Sequence, residues 1–308
     1  MAPIVPRAAS NFLLHLDGSA DVSFINSVSG GELKANNTTQ KIGATLYVQK
    51  NNTTVEVEPF TAEIGMAVSK PILDWFNESC QQRYSRRTGA WVMANQEFEI
   101  ELIRNFYNAL LVEATFPAMD ASASKPAWLK LKIHPEFTKD EAESKGRKLR
   151  SEFSSKQLLW SPCNFRLNLD HSELNDVCGY VTKVDELTVK QNVKSLWMGA
   201  ERFPQVEPTG VEFPNVSFHL PAAYAKPFQD WHKKMVVEGK TINDIKVSGS
   251  LEYLDHSTRH TLLELDLHDM GISAVVADKS AADAQDPQSV KVELFCHYMQ
   301  LRYGSGMQ

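Results

Sequence analysis

Apolar and polar side chains alternate along several short segments in both halves of the chain. The alternating segments are 12–16, 42–48, 98–102, 129–133 and 290–296. A period of two places one face of a strand in a core and leaves the other face wetter. The pattern therefore predicts a mainly β protein.

Pairs of glycine or asparagine separate these segments. The pairs are Gly30-Gly31, Asn36-Asn37 and Asn51-Asn52. Because glycine and asparagine adopt turn conformations at low cost, each pair predicts a turn between two strands.

A helical pattern interrupts the strands in the first half. Ser69 can cap a helix, and Pro71 suits its first turn. Ile72, Trp75 and Phe76 then follow at helical spacing. They form an apolar stripe that can dock on a sheet.

A matching helical pattern occurs in the second half. Phe228, Trp231 and Met235 share one face of the predicted helix. Trp75 and Trp231 occupy corresponding positions in the two helices. We expect these tryptophans to be core anchors rather than ligand-binding residues.

Four segments of the first half recur in the same order in the second half. They are Asn11–Asp17 with Asn164–Asp170, Lys70–Trp75 with Lys226–Trp231, Asn108–Leu111 with His260–Leu263, and Ala127–Glu136 with Ser289–Tyr298. One such match can arise by chance, but four ordered matches predict an internal repeat. We expect two homologous domains, 1–137 and 163–308.

Residues 138–162 lie between the predicted domains and are rich in Glu, Lys and Arg. Thr138 and Glu141 are spaced as a capping box. The sequence predicts a charged, partly helical linker with a solvated surface.

Composition is ordinary for a globular protein. The 308 residues are 43% hydrophobic and 23% charged, with a net charge of −6. An acidic balance argues against a general nucleic-acid coat. Residues 1–150 carry equal numbers of basic and acidic side chains, so the negative charge belongs to the second half.

The cysteines and the apolar runs exclude several classes of protein. Cys80, Cys163, Cys178 and Cys296 form no C-x-x-C pair, so neither a disulfide framework nor structural zinc is expected. Free or buried thiols in a reducing cytosol are the simpler interpretation. No apolar run approaches the roughly 20 residues of a membrane helix, and the N-terminal segment lacks the apolar core of a signal peptide.

Catalytic motifs are absent from the sequence. No nucleophile elbow, P-loop or dinucleotide-binding glycine pattern occurs. His256 and His260 lack the glutamate of a zinc-protease motif and are expected at the surface. Asp266, His268 and Asp269 are expected to make local hydrogen bonds. We therefore predict no catalytic, cofactor-binding or metal-binding residues.

Several motifs follow one another at the spacing of a known family. They are Phe12–Gly18, Phe24–Gly30, Val57–Phe76, Arg86–Gly89, Phe106–Ala109, Phe116–Ala121 and Leu129–Glu136. In this order they resemble the tail-tube protein family of contractile phages and phage-tail-like contractile injection systems. The second half keeps Asn164–Asp170, Phe213–Asn215 and Lys226–Trp231, and departs elsewhere.

The resemblance implies a fold and an assembly. Each domain would be two packed antiparallel sheets with one flanking helix, and two such domains would lie in tandem. Open sheet edges would pair between subunits of a ring. The ring would be a pseudo-sixfold trimer or a two-layer hexamer.

A basic cluster follows the first helix and comprises Arg83, Arg86 and Arg87. Because the guanidinium group pairs in two-pronged fashion with carboxylates, the cluster can contact a neighbouring subunit or ring. A solvated loop is the equal alternative.

The resemblance implies a structural, non-enzymatic role in such a machine. A special ring at the tube end or baseplate hub would explain the different charges of the halves. Expected partners are copies of the chain and the tube, baseplate or sheath proteins, with DNA or protein cargo in the lumen. Assembly would take place in the cytoplasm, and the product would be a virion tail or injection particle.

Two other functions stay open. The first is a cargo or adaptor protein that binds the tube or its lumen. The second is an enzyme on a β-sandwich scaffold. A monomer held inside a tube would favour the first, and a pocket with converging titratable groups the second.

Overall fold

A computed structural model describes residues 9–18, 22–41, 43, 47–65, 68–141, 160–241, 245–277 and 288–304. Strands dominate these residues, and every strand pairing is antiparallel, so the prediction of a mainly β protein is confirmed. The first-half elements are β1 (Ala9–Leu16), β2 (Val22–Gly30), β3 (Leu33–Gln40), β4 (Gln49–Val57), β5 (Phe60–Ile64), α1 (Lys70–Cys80), β6 (Arg87–Asn95), β7 (Ile100–Phe116), β8 (Met119–Asp120), β9 (Leu129–His134) and β10 (Phe137–Glu141).

The described part of the second half contains eight strands, two α-helices, the 3-10 turn Ala222–Tyr224 and a π-helical turn. The strands and α-helices are β11 (Phe165–Leu169), α2 (Ser172–Cys178), β12 (Lys183–Val184), β13 (Leu187–Leu196), β14 (Gln205–Glu212), β15 (Val216–Pro221), α3 (Lys226–His232), β16 (Val247–Leu254), β17 (Thr261–Ala277) and β18 (Ser289–Tyr303). A π-helical turn, Lys233–Val237, continues α3. Helix α2 was not expected, because its short sequence buries only Leu174 and Cys178 and shows no long apolar stripe.

The first half closes into a barrel. Its strands follow the order β7, β6, β1, β2, β5 and β9, and β9 also pairs with β7. Closure removes the free edges that an open sheet would carry. Strand β7 is long enough to hold β6 along its first part and a second-half strand, β13, along its last part.

The second half is an open sheet with the same strand order. Strands β17, β16 and β11 succeed one another on one side, and β18, β15 and β12 on the other. They correspond in order to β7, β6 and β1, and to β9, β5 and β2. Strand β12 pairs with β8 of the first half, and no described pairing closes this sheet.

Local details recur at corresponding places in the two halves. The backbone N–H of Thr88 donates to Asp17 Oδ1 at 3.0 Å, and that of Ser248 donates to Asp170 Oδ1 at 2.8 Å. A Cβ on Gly89 would lie 2.2 Å from the His15 carbonyl oxygen, so only glycine fits there.

The same close approach occurs at Gly249, where a Cβ would lie 2.2 Å from the Asn168 carbonyl oxygen. The long strand of each half also has a bulge at a corresponding place. Asn108 has a φ of 49° and Asp269 a φ of 50°, both in the left-handed region that asparagine and aspartate tolerate best among residues with a Cβ.

One hydrophobic cluster contains residues of both halves. Helix α1 lies between them, since Phe76 meets Phe116 edge to face while Phe116 packs near Tyr253 of β16. The Asn77 side chain accepts from Leu301 N–H at 2.9 Å and donates to the Leu301 carbonyl at 2.8 Å. The halves are therefore joined by a shared core as well as by exchanged strands.

Two predicted turns are wrong. Asn36-Asn37 lies within β3, and Asn51-Asn52 lies within β4. Cross-strand bonds replace the expected turn contacts, since Asn36 Nδ2 donates to Thr54 Oγ1 at 3.0 Å and Thr53 Oγ1 donates to the Asn36 carbonyl at 3.0 Å. The strand predicted at 42–48 falls mostly outside the described residues, and its described positions form no strand.

The predicted linker is structured at both of its ends. Thr138 and Glu141 belong to β10 rather than to a helix cap, because β10 pairs with the otherwise open side of β7. Across this strand pair, Arg104 donates two hydrogen bonds to the Asp140 carboxylate, at 2.6 and 3.0 Å. Trp160 is buried near Tyr253. Residues 142–159 lie outside the described part.

For two of the four repeated segments, the strand pairing aligns the two halves at other residues than the sequence match does. Asn108 lies inside β7, whereas His260 precedes β17, so the residue that corresponds to Asn108 is Asp269. Leu129 corresponds to Val290, one residue before the position that the sequence match assigned to it.

Candidate functional site

Two hairpins leave the sheets at corresponding points of the two halves. The first arm is β3–β4, and the second arm is β13–β14. Each arm begins with a leucine that follows a glutamate, Leu33 in the first and Leu187 in the second. The second arm is docked, whereas the first is exposed.

The second arm adds a strand to the barrel. Leu187 pairs with Phe116, and Thr188 pairs with Thr115 along the edge of β7. The hydroxyls of Thr115 and Thr188 lie 3.0 Å apart. Because Leu187 is only 1% exposed, the base of the arm belongs to the core.

An apolar seam holds the second arm against α1 and β7. Its eight lining residues come from four elements, α1, β7, β13 and β14: Phe76, Ser79, Cys80, Leu111, Ala114, Val189, Gln191 and Val211. Burial raises the pKa of the Cys80 thiol to about 12, which keeps the thiol neutral. Both polar atoms of the Gln191 amide are buried without a hydrogen-bond partner among the described residues.

Arg86 connects the basic cluster to the second arm. It donates to Glu136 Oε1 at 2.7 Å and to Glu207 Oε1 of β14 at 2.9 Å. Asn108 Nδ2 donates to the other oxygen of Glu136 at 2.9 Å. Arg86 thus pairs with carboxylates on both sides of the junction between barrel and arm.

The other two arginines of the cluster are separated by the fold. Arg87 bonds Asp17 and Glu78, each at 2.7 Å. Partial burial lowers the pKa of its guanidinium, but the bonds to the two carboxylates outweigh burial and raise it. Arg83 is exposed after the end of α1. A contact of these arginines with another subunit stays a prediction.

The two helix tryptophans are both buried. Trp75 is fully enclosed, and its Nε1 donates to the Ser85 carbonyl at 2.8 Å. Trp231 is almost as well buried, but its Nε1 has no partner among the described residues. Neither indole faces an open cleft in which it could stack on a ligand.

The first arm projects from the barrel. All eight residues of β3 are exposed, and Leu33 is 51% exposed although it corresponds to the buried Leu187. Among the described residues β3 and β4 pair only with each other. The arm therefore presents backbone groups and apolar side chains to solvent.

A second exposed surface lies along the last residues of β17. On one side Val276 pairs with Lys291 of β18, but the outer side has no partner strand among the described residues. Val276 is 55% exposed. Val236 and Val237, on the helical turn after α3, are exposed as well.

The acidic and histidine positions of β17 make local contacts. Asp266 is buried and accepts a hydrogen bond from Arg302, which also meets Glu264 at 3.3 Å. His268 packs near the ring of Tyr298. Among the described residues there is no cluster of three His, Cys, Asp or Glu side chains that could hold a metal ion.

Helix length also bears on membrane contact. Within the described ranges, each helix is too short or too polar to pass through a bilayer.

The sequence matches no protein-family model and no curated protein. The chain resembles several solved structures over part of its length. The anti-feeding prophage baseplate has 11% identity and a TM-score of 0.36, covering 46% of this chain and 93% of that one. The sheath–tube complex of the extracellular contractile injection system PVC, in its extended state, has 11% identity and a TM-score of 0.34, covering 46% and 88%. Hcp1 from Flavobacterium johnsoniae has 11% identity and a TM-score of 0.28, covering 46% and 95%.

Proposed function

We propose that this protein is a structural component of a contractile phage tail or phage-tail-like injection system, and that its copies assemble into a ring. The carrying observation is the docking of the second arm on β7. In this contact a strand of the second half extends the sheet of the first half within one chain. The proposed ring repeats a contact of this kind between copies. The order of tail-tube-like motifs in the first half supports the same role.

The two halves are proposed to be tandem copies of one unit, 1–137 and 163–308. Their common strand order supports this. So do the paired details Asp17 with Asp170, and Gly89 with Gly249. Shared bulges and shared close approaches need specific residues at specific places, so they are stronger support than alternating apolar residues.

A special ring at the end of a tube or at a baseplate hub fits the chain better than a uniform tube. The first half is neutral and closed into a barrel, whereas the second is acidic and open. Halves that differ in charge and in free strand edges can bind different proteins on the two faces of the ring. Tube, baseplate or sheath proteins are the proposed partners, and DNA or protein cargo is the proposed content of the lumen.

The proposed role is non-enzymatic. In the cleft that Asp266 and Arg302 line, Arg302 is paired with both Asp266 and Glu264. Assembly in the cytoplasm followed by incorporation into a tail particle is part of the same proposal.

Negative-stain microscopy and light-scattering mass of the purified chain test the proposed function. We expect closed rings of uniform size. Filaments of many rings would contradict the special-ring role. A monomer that binds inside a tube would replace the structural role with that of a cargo or adaptor protein.

A further inference from the structure

We propose that the first arm of one copy adds to the outer edge of β17 in a second copy, so that first and second halves alternate around a ring of three chains. The inference rests on the proposed ring function and names the surfaces that make it. The outer edge of β17 means the side of Ala274–Ala277 that faces away from β18. The partner is another copy of this chain.

The contact inside the chain supplies the template. On β7, Thr115 pairs with Lys130 of β9 on one side and with Thr188 of the second arm on the other. On β17, Val276 pairs with Lys291 of β18 in the same way. Val276 therefore occupies the place of Thr115, with the arm side unfilled among the described residues.

The helix beside the β7 edge is covered by an arm, whereas the helix beside the β17 edge is exposed. Cys80 at the end of α1 is 4% exposed because the second arm covers it. Val236 occupies the corresponding position after the start of α3 and is 53% exposed. An arm on β17 would cover Val236 and Val276 together, as the second arm covers the seam beside α1.

The first arm has the features needed to fill this place. It begins with Leu33, the counterpart of Leu187, and its β3 strand is exposed along its whole length. By the register of the second arm, Leu33 would face Ala277 and Lys34 would face Val276. Strand addition of this kind satisfies backbone groups on both partners and buries alternate side chains.

Occupancy decides which half receives the arm. The edge of β7 is filled by the second arm of its own chain. A first arm from another copy therefore cannot dock there, and rings built from first halves alone are disfavoured. The corresponding edge of β17 carries no arm among the described residues, so in the proposed ring each first half follows the second half of another chain.

The same contact also sets the symmetry. The first arm and the β17 edge are different surfaces, so their contact is head to tail and generates a closed ring or a helix. With one junction inside each chain and one between chains, six similar junctions close around three copies. The pseudo-sixfold trimer is thereby favoured over the two-layer hexamer.

Cysteine cross-linking of the whole protein tests the pairing. All variants carry Cys163→Ser, since Cys163 is the least buried of the native thiols. Directly opposed residues on antiparallel strands have Cβ atoms about 4.5–5.5 Å apart, near the range that a disulfide bridges. Lys34→Cys with Val276→Cys is expected to give, on oxidation, a covalent ladder that ends at three chains.

Two matched pairs serve as controls. Thr115→Cys with Thr188→Cys lies at the junction inside the chain and is expected to cross-link without increasing the mass. Lys34→Cys with Thr115→Cys pairs the first arm with the occupied edge and is expected to stay unlinked. Circular dichroism of each variant checks that the fold is intact.

The outcomes separate the inference from the proposed function. A ladder from the Lys34–Thr115 pair overturns the inference, and so does a ring by light scattering whose Lys34–Val276 pair fails to cross-link. Both of these results leave the ring function standing. A single chain under all conditions, with no ladder, overturns the inference and the ring together.

Discussion

Replacing Leu187 with alanine tests whether the second arm is part of the folded core. Leu187 is 1% exposed and lies in the cluster that joins the two halves. Leucine-to-alanine changes in cores cost about 2–5 kcal/mol. One side of this site is a two-stranded arm that can relax, so we expect a loss of about 3 kcal/mol in the free energy of unfolding.

The control is the corresponding change in the first arm, Leu33→Ala. Leu33 is 51% exposed in the single chain, so its replacement should change the free energy of unfolding by no more than about 0.5 kcal/mol. Both variants are made in a Val276→Lys background. A lysine there would oppose Lys34 of the next copy and keep the chains apart.

Urea unfolding followed by tryptophan fluorescence measures both variants. Because one hydrophobic cluster contains residues of both halves, a single cooperative transition is expected. A cost below about 1 kcal/mol for Leu187→Ala, or equal costs at Leu187 and Leu33, would refute the docking of the second arm. Two separate transitions would refute the shared core.

Three further substitutions test individual groups. Burial lowers the pKa of His134 more than its backbone hydrogen bond raises it, so the unfolded chain binds the proton more readily than the folded chain. The free energy of unfolding should therefore fall as the pH drops below about 6.5. In urea titrations between pH 7 and 5, His134→Gln should make this pH dependence weaker. Gln191→Met removes a buried amide that has no hydrogen-bond partner among the described residues, so the free energy of unfolding should rise by about 1 kcal/mol. A fall in the free energy of unfolding would contradict this prediction. Tyr253→Phe removes a fully buried hydroxyl without a described partner, so the melting temperature should stay level or rise, and a clear fall would show that the hydroxyl is satisfied.

Alternation and helix signals predicted much of the fold. The segment around Leu14 and those around Leu131 and Val292 are strands, and the two predicted helices are found at Lys70–Cys80 and Lys226–His232. These segments have one face in a core, so local pattern and final burial agree.

The arms could not be predicted in the same way. Asn36 and Asn51 have turn chemistry, yet they lie in a two-stranded hairpin that is held by cross-strand bonds and exposed to solvent. Such a strand has no buried face, so it carries no alternating signal. The one available hint was Leu33, an apolar residue at the start of an otherwise polar stretch.

Strand exchange was also beyond the sequence pattern. The alternation of Leu187 and Val189 shows that β13 has a buried face, but not that the face lies against β7 of the other half. The sequence left the basic cluster as either a contact with a neighbouring subunit or a solvated loop, whereas Arg86 meets Glu207 across the junction of the halves. Its partner is in the same chain, a relation that only the tertiary arrangement reveals.

The mass and symmetry of the purified particle test the central claim most directly. Light scattering should give about three times the chain mass of 34.6 kDa, and averaged microscope images should show a closed ring with six similar lobes and threefold symmetry. A particle of six chains with two stacked layers, or a monomer at every concentration, would contradict the alternation of halves around a three-chain ring.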